Sequence, residues 1–163
     1  MPDTRARVYW DADVFLSYIN QIPERMPILD ALLNQSSSPA LPFKIVTSTY
    51  SMVEVAFGAQ EQAQGVLSAQ TEEDIDSLWD PATVQLIEFH SGVAVEARRL
   101  MRLAVARGWK LKPGDAIQLA TAKMSGAQEL HTYSKDFPRY SADRGIPIHE
   151  PNTQQPPQTR MPI

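Results

Sequence analysis

The chain has 163 residues, 43% of them hydrophobic, which is enough for one well-cored domain and short for two. It contains no cysteine, which excludes a disulfide framework and any thiolate metal site and makes a reducing compartment the natural setting. The net charge of -4 hides an asymmetry: residues 54–90 carry eight Asp and Glu with no Lys or Arg, whereas residues 91–144 carry ten Lys and Arg against five acids. That local excess of positive charge keeps a polyanionic partner open, although Arg98, Arg99 and Arg102 taken alone read as a solvated helix face. The opening "MPDTRARVYW" lacks the apolar core of a signal peptide and no apolar run reaches membrane-spanning length, so the cytoplasm is the expected location.

In chain order, "RVYW" reads as a buried strand, because its apolar and aromatic residues run on without alternation. Asp13 is placed to N-cap a helix starting "VFLSYIN", which Pro23 ends or bends. "PILDALLNQ" predicts a second helix with Pro27 where its missing N–H is harmless, followed by a loop "SSSPALP". "FKIVT" is the next strand, and Ser48 caps a helix "TYSMVEVAFGAQ". The acidic stretch 59–80 has helical propensity and poor periodicity, and "ATVQLIEF" reads as a third strand. "SGVAVEARRLMRLAVARG" is a helix whose inner stripe is Val93, Ala97, Leu100 and Ala104, with Gly108 as its stop. "PGDAIQLATAKMSG" is another, with Ile117, Ala120 and Met124 as its inner stripe and Gly126 as its stop. "ELHTY" and "IPIH" are further strands. Strands alternating with helices predict an α/β sandwich with a mainly parallel sheet, over residues 1–148. The Pro-rich "HEPNTQQPPQTRMPI", residues 149–163, reads as a tail. There is no internal repeat.

In a parallel sheet, functional groups gather at the carboxyl ends of the strands, where the strand order reverses. Asp11 ends the first strand, Glu54 lies on the helix after the second, Asp115 is in the first turn of "PGDAIQLATA", and Ser134 and Asp136 follow "ELHTY". Asp115 alone would be explained by the helix dipole, and Asp13 as a cap. Glu54, set between "SMV" and "VAF", is costly to bury unpaired, and Asp11 has no local role that the sequence discloses. Carboxylates sharing one crevice repel, and a divalent cation removes the conflict. With oxygen ligands alone, Mg²⁺ or Mn²⁺ is the natural choice. His90, His131 and His149 lie far apart with no ligand spacing, and Tyr133 reads as a half-buried strand residue.

Four segments, "VYWDADVFLSYI", "VTSTYSMVEVAFG", "LKPGDAIQLATA" and "LHTYSKDFPRY", resemble in order those of the PIN-domain nucleases, and in particular the VapC-type toxins of bacterial toxin–antitoxin pairs. The resemblance spans about the first 145 residues and implies a PIN-like three-layer sandwich. It implies Asp11, Glu54 and Asp115 as metal-binding acids, with Asp13 in support. The closing segment departs from the family pattern: Ser134 stands where an Asp or Asn is usual, leaving Asp136 as the other candidate for the fourth place. The activity implied is Mg²⁺- or Mn²⁺-dependent hydrolysis of RNA phosphodiesters, with a cognate antitoxin and a second copy of the chain as partners. Apolar helices such as "PILDALLNQ" are expected to supply the homodimer face. Lys112, Lys135 and Arg139 flank the acids and are placed to contact phosphates.

Two other readings share these residues. "WDADVFL" also resembles the opening of haloacid-dehalogenase-like phosphatases, whose pattern wants an acid four residues after the Gly-Asp pair; Leu119 stands there. The other is a PIN-like module that binds RNA or a partner without cutting, for which Ser134 is the supporting feature.

Overall fold

Val8, Tyr9 and Trp10 are fully buried because helices cover both faces of their strand. The computed structural model describes residues 3–38, 40 and 43–153. The strands β1 (Ala6–Trp10), β2 (Phe43–Ser48), β3 (Val84–Ile87), β4 (Glu129–His131) and β5 (Ile148–His149) form one sheet in the order β3-β2-β1-β4-β5. Every pairing is parallel, with Val8 opposite Ile45 on one side and Glu129 on the other. The helices are α1 (Ala12–Ile19), α2 (Met26–Ser36), α3 (Tyr50–Ala63), α4 (Ala69–Leu78), α5 (Ser91–Ala106), α6 (Pro113–Met124) and α7 (Ser141–Arg144), with a 3-10 turn at Phe137–Tyr140. Among the described residues no helix is long and apolar enough to cross a membrane.

The period of two along a strand divides the core between two faces. Val8, Trp10, Phe43 and Ile45 pack with Val14, Phe15, Leu29, Leu32, Val55, Ile75 and Leu78 of α1 to α4. Tyr9, Val46 and Leu130 pack on the other face with Val93, Leu100, Leu119 and Ala120 of α5 and α6. The result is the expected three-layer α/β sandwich. Val93, Ala97, Leu100 and Ala104 form the buried stripe of α5, and Gly108 adopts φ +71, as its period and stop signal predict.

Four local expectations change. Asp11, not Asp13, caps α1: its side chain accepts the Val14 N–H at 3.3 Å, and Asp13 falls in the first turn. In α6 the buried residues are Ala116 and Gln118 to Ala122, while Ile117 is half-buried and Met124 is 46% exposed. Helix α6 packs against α5, β2 and α3, so more than one stripe is covered. In α2, Leu29, Leu32 and Leu33 are spent on the core; the large exposed apolar side chains lie elsewhere, Met52, Val53 and Phe57 of α3 among them. Within the acidic stretch, α4 is capped by Ser68 and buries only Ile75 and Leu78, which accounts for its weak periodicity. At the C-terminus, His149 belongs to β5 and Pro151 is buried; residues 154–163 lie outside the described residues.

The basic run is partly consumed within the fold. Arg144, its side chain wholly buried, donates to Glu96 and Asp143 at 2.6 Å each, and Arg99 bonds the same two acids at 2.9 Å. This cluster fastens α7 to α5, so Arg99 is not the free cation that its sequence context suggests. Hydrogen bonds from Arg99 and Arg144 hold the Glu96 carboxyl at about 2, down from 4.5. A carboxylate depressed by folding stabilises the fold above its unfolded pKa and loses that contribution as pH falls through the folded one. Urea denaturation should therefore show stability falling between about pH 4.5 and 2, with much of the loss removed in Glu96→Gln. Arg144→Ala, which removes the buried partner and leaves Arg99 alone to face both acids, should cost roughly 3 kcal/mol at pH 7.

Candidate functional site

Strands β2 and β3 lie to one side of β1 and β4 and β5 to the other, so the strand order reverses between β1 and β4. The crevice beyond their carboxyl ends is where an open α/β sheet presents ligands, and Asp11 stands there. Its backbone N–H continues the ladder to the His131 carbonyl at 3.4 Å. One carboxylate oxygen takes the Val14 N–H, and the other accepts from the Thr132 hydroxyl at the end of β4. Asp11 is 2% exposed. It thus has the local roles that its sequence context hides: it caps α1 and ties β1 to β4.

Glu54 reaches the crevice from α3, on which Ser48 steadies the first turn by accepting the Tyr50 N–H at 3.0 Å. The Gln118 side-chain amide donates to Glu54 Oε1 and to Ser51 Oγ, each at 3.0 Å. The Gln118 carbonyl oxygen accepts from the hydroxyl of Tyr9, which also receives the Ser48 N–H at 3.2 Å. Glu54 is therefore aimed by a buried polar chain anchored in β1. Asp115 sits one turn before Gln118, at the start of α6. Helix α6 enters close to α3: a Cβ on Gly114 would stand 3.2 Å from the Tyr50 ring and 3.5 Å from Glu54 Oε1.

Electrostatics joins these groups into one cluster. Burial, with repulsion from Asp13 and Glu54, drives the Asp11 pKa well above the usual carboxylate range. Glu54 is raised by burial and by Asp115 and Asp13, against the Gln118 bond. Asp115 is raised by burial and by Asp13 and Asp136, against Lys112. Asp13, at the open side of the crevice, is raised by the protein around it and steadied by Arg25. Among the described residues none of the four takes part in an ion pair. Four crowded carboxylates with oxygen donors only suit a hard divalent cation. Among the described residues no three of them bring ligand atoms within 4.8 Å of one another.

Comparison with known proteins bears on this geometry. The PIN domain model matches residues 8–143, most of the chain and all four acids. The chain belongs to the PIN domain family. Its fold is similar to VapBC2 of Rickettsia felis bound to a promoter DNA fragment, at 14% identity and a TM-score of 0.65, covering 88% of this chain and 98% of that one. It is also similar to VapC20 of Mycobacterium tuberculosis, a toxin that cleaves the sarcin–ricin loop, at 15% identity and a TM-score of 0.60, covering 80% and 92%. A toxin–antitoxin complex from Klebsiella pneumoniae reaches 24% identity with a TM-score of 0.53, covering 80% and 89%. No curated protein matches the sequence significantly.

The closing segment of the PIN domain is arranged as follows. The Ser134 N–H bonds Thr132 Oγ1 at 3.0 Å, and Ser134 Oγ receives the Asp136 N–H at 3.3 Å, so the serine shapes the loop after β4. Asp136 is exposed and ion-paired to Arg139 at 2.9 Å, reaching Asp115 through its field. Thr132, Gln118, Tyr9 and Arg25 are not among the residues that the sequence singles out. Gln118 follows Asp115 by three residues and so shares its helix face, a signal that was available; nothing in the sequence places Arg25 beside Asp13.

The histidines correct a second expectation. Pairing of β4 with β5 sets His131 opposite His149, and both bond Glu129, at 3.1 and 3.5 Å. This is the one trio of candidate metal ligands within 4.8 Å of each other among the described residues. However, the Trp10 indole N–H, which only donates, points at His131 Nδ1 from 3.1 Å. Burial keeps His131 neutral, so its proton sits on Nε2, facing Glu129. That nitrogen is a donor rather than a ligand while the indole bond holds. The trio is a hydrogen-bonded pin between β4 and β5, and despite burial the two imidazoles hold Glu129 at about 2.

Because folding raises the pKa of the clustered acids, they favour the metal-free fold at low pH and lose that contribution as pH rises through the folded values. Asp115→Asn should therefore raise the melting temperature of the metal-free protein at pH 7, by about 2–4 °C for each kcal/mol of repulsion relieved. Scanning calorimetry at pH 7 and pH 4 is the check, and the gain should shrink at the lower pH.

Proposed function

We propose that the chain is a metal-dependent ribonuclease, the toxin of a toxin–antitoxin pair, acting at Asp11, Glu54 and Asp115 with Mg²⁺ or Mn²⁺. One observation supports the reading: four carboxylates share the crevice at the strand-order reversal, each with a raised pKa and, among the described residues, none in an ion pair. Asp11, Glu54 and Asp115 hold the ion, with Asp13 in support. A divalent cation held there would supply Lewis acidity for phosphodiester hydrolysis. Thr132 and the Val14 N–H fix Asp11, and Gln118 fixes Glu54, so that the carboxylates need little rearrangement to receive it. Lys112, whose charge reaches Asp115, is placed to offset repulsion between the crevice and a polyanionic substrate.

The first test is cleavage of a mixed RNA pool with Mg²⁺, with Mn²⁺ and with chelator. Asp115→Asn should abolish the metal-dependent products while the variant remains folded. Intact activity in that variant would remove the assignment.

A specific feature limits the metal count. Asp136 is engaged by Arg139, and Ser134 brings no charge. One tightly held ion and a weaker second are expected, with Mn²⁺ favoured at low concentration. Ser134→Asp should tighten metal binding in calorimetric titration, and Ser134→Ala should change it little. Two equally tight sites in the parent protein would contradict this.

The antitoxin partner is proposed from the toxin–antitoxin complexes among similar folds. A cleft of about 360 Å³ lined by Tyr18, Ile19, Met26, Leu33 and Leu78 offers it a partly apolar seat. A homodimer is proposed from the exposed Met52, Val53 and Phe57 on α3. Light scattering should then report a dimer that Phe57→Glu converts to monomer.

A further inference from the structure

Arg25 precedes α2 and reaches back to the end of β4. Its guanidinium carbon lies 3.7 Å from the centroid of the Tyr133 ring, a close stack. Nη1 donates to Ser17 Oγ at 2.8 Å, and Ser17, 3% exposed, in turn donates to the Asp13 carbonyl at 2.8 Å. Its charge steadies Asp13 and Tyr133. Yet among the described residues it forms no ion pair.

That arrangement leaves the guanidinium in the field of Asp13, one of the four carboxylates, without pairing to it among the described residues. A guanidinium free to turn would close on one of them, since paired N–H···O contacts to a carboxylate are its strongest bonds. The Tyr133 ring and the Ser17 hydroxyl hold it off instead. Two consequences follow. Asp13 stays available to a cation, and among the described residues the guanidinium makes one hydrogen bond, to Ser17, at the edge of a crevice that would otherwise repel a polyanion. On the opposite side Lys112 stands in the same electrostatic relation to Asp115. The planar fork of an arginine matches phosphate oxygens in pairs.

We propose that Arg25 is a substrate-binding residue that grips a phosphate flanking the scissile one, on the Asp13 side of the acidic crevice, with Tyr133 and Ser17 holding its guanidinium in place. The proposal rests on the reading of RNA as substrate. It differs from a structural brace in a way that experiment can separate, because a brace would act through the fold and a phosphate contact through the salt dependence of binding.

The test measures binding of a short fluorescent oligoribonucleotide by anisotropy, in chelator and at several salt concentrations, for the parent protein, Arg25→Gln and Arg25→Lys. Melting temperature and Mn²⁺ affinity are followed in parallel. Arg25→Gln should weaken RNA binding about tenfold for oligomers of any sequence and reduce the slope of log K against log salt by about 0.7, the value for one single-strand phosphate contact. Its Mn²⁺ affinity should be unchanged or higher, since a positive neighbour has gone. Arg25→Lys keeps the charge without the planar fork and should fall between; it also carries the test if Arg25→Gln does not fold. Parent-like RNA affinity and salt slope in the folded variants would overturn the proposal, as would a joint loss of RNA and Mn²⁺ binding that tracks a fall in melting temperature. A parent protein that binds no RNA would instead remove the ribonuclease reading itself.

Discussion

The hydrogen bond from Thr132 to Asp11 is the constraint on which the site depends. It spans β1 and β4, the pair of strands between which the sheet order reverses, and it holds a carboxylate in a position that solvent barely reaches. Burial and two acidic neighbours work against charge there, while Thr132 and the Val14 N–H work for it. The hydroxyl suits both protonation states, because it donates to a carboxylate and can accept from a carboxylic acid. Asp11 therefore keeps its place whether or not its charge is balanced. A site whose parts stay put while their charges change is a condition for binding a cation without rebuilding the fold.

The same logic governs the periphery. Three arginines elsewhere in the domain are closed onto acids: Arg144 and Arg99 onto Glu96 and Asp143, and Arg139 onto Asp136. Those pairs fasten elements together. At the edge of the crevice Arg25 is instead held by a ring and a hydroxyl. The overall value of -4 therefore says little about what the crevice would bind.

What was legible in the sequence follows from how local each cause is. The continuous apolar run of Val8 to Trp10, the stripe of Val93, Ala97, Leu100 and Ala104, and the order of the four acid-bearing segments are patterns within one element or in a simple alternation of elements. They give the sandwich, and they bring Asp11, Glu54 and Asp115 to one edge. The cap of α1 was misplaced by two residues because Asp11 and Asp13 are both credible caps, and only the end of β1 decides between them. Arg25 and the meeting of His131 with His149 are not legible, since each depends on contacts between elements far apart in the chain; the spacing of Gln118 from Asp115 is legible, but its bond to Glu54 is not. Met124 was misassigned because α6 is covered on two sides, and a single-stripe pattern does not describe a helix so placed.

The strand β1 shows why these separate features form one device. Successive residues of a strand point to opposite faces. Tyr9 turns toward α6, where its hydroxyl bonds Gln118 and through it Glu54. Trp10 turns to the other face, where its indole fixes the tautomer of His131 and so the pin of Glu129 to His149 that secures β5. Asp11 comes next and enters the crevice. Three consecutive side chains thus aim one acid, lock one sheet edge and supply another acid. A shift of β1 by one residue would exchange the faces of Tyr9 and Trp10 and break both networks at once. The register Val8 to Ile45 and Glu129 is accordingly fixed by polar bonds on both faces as well as by the apolar core, which gives the sheet edge the rigidity that a site built on it needs.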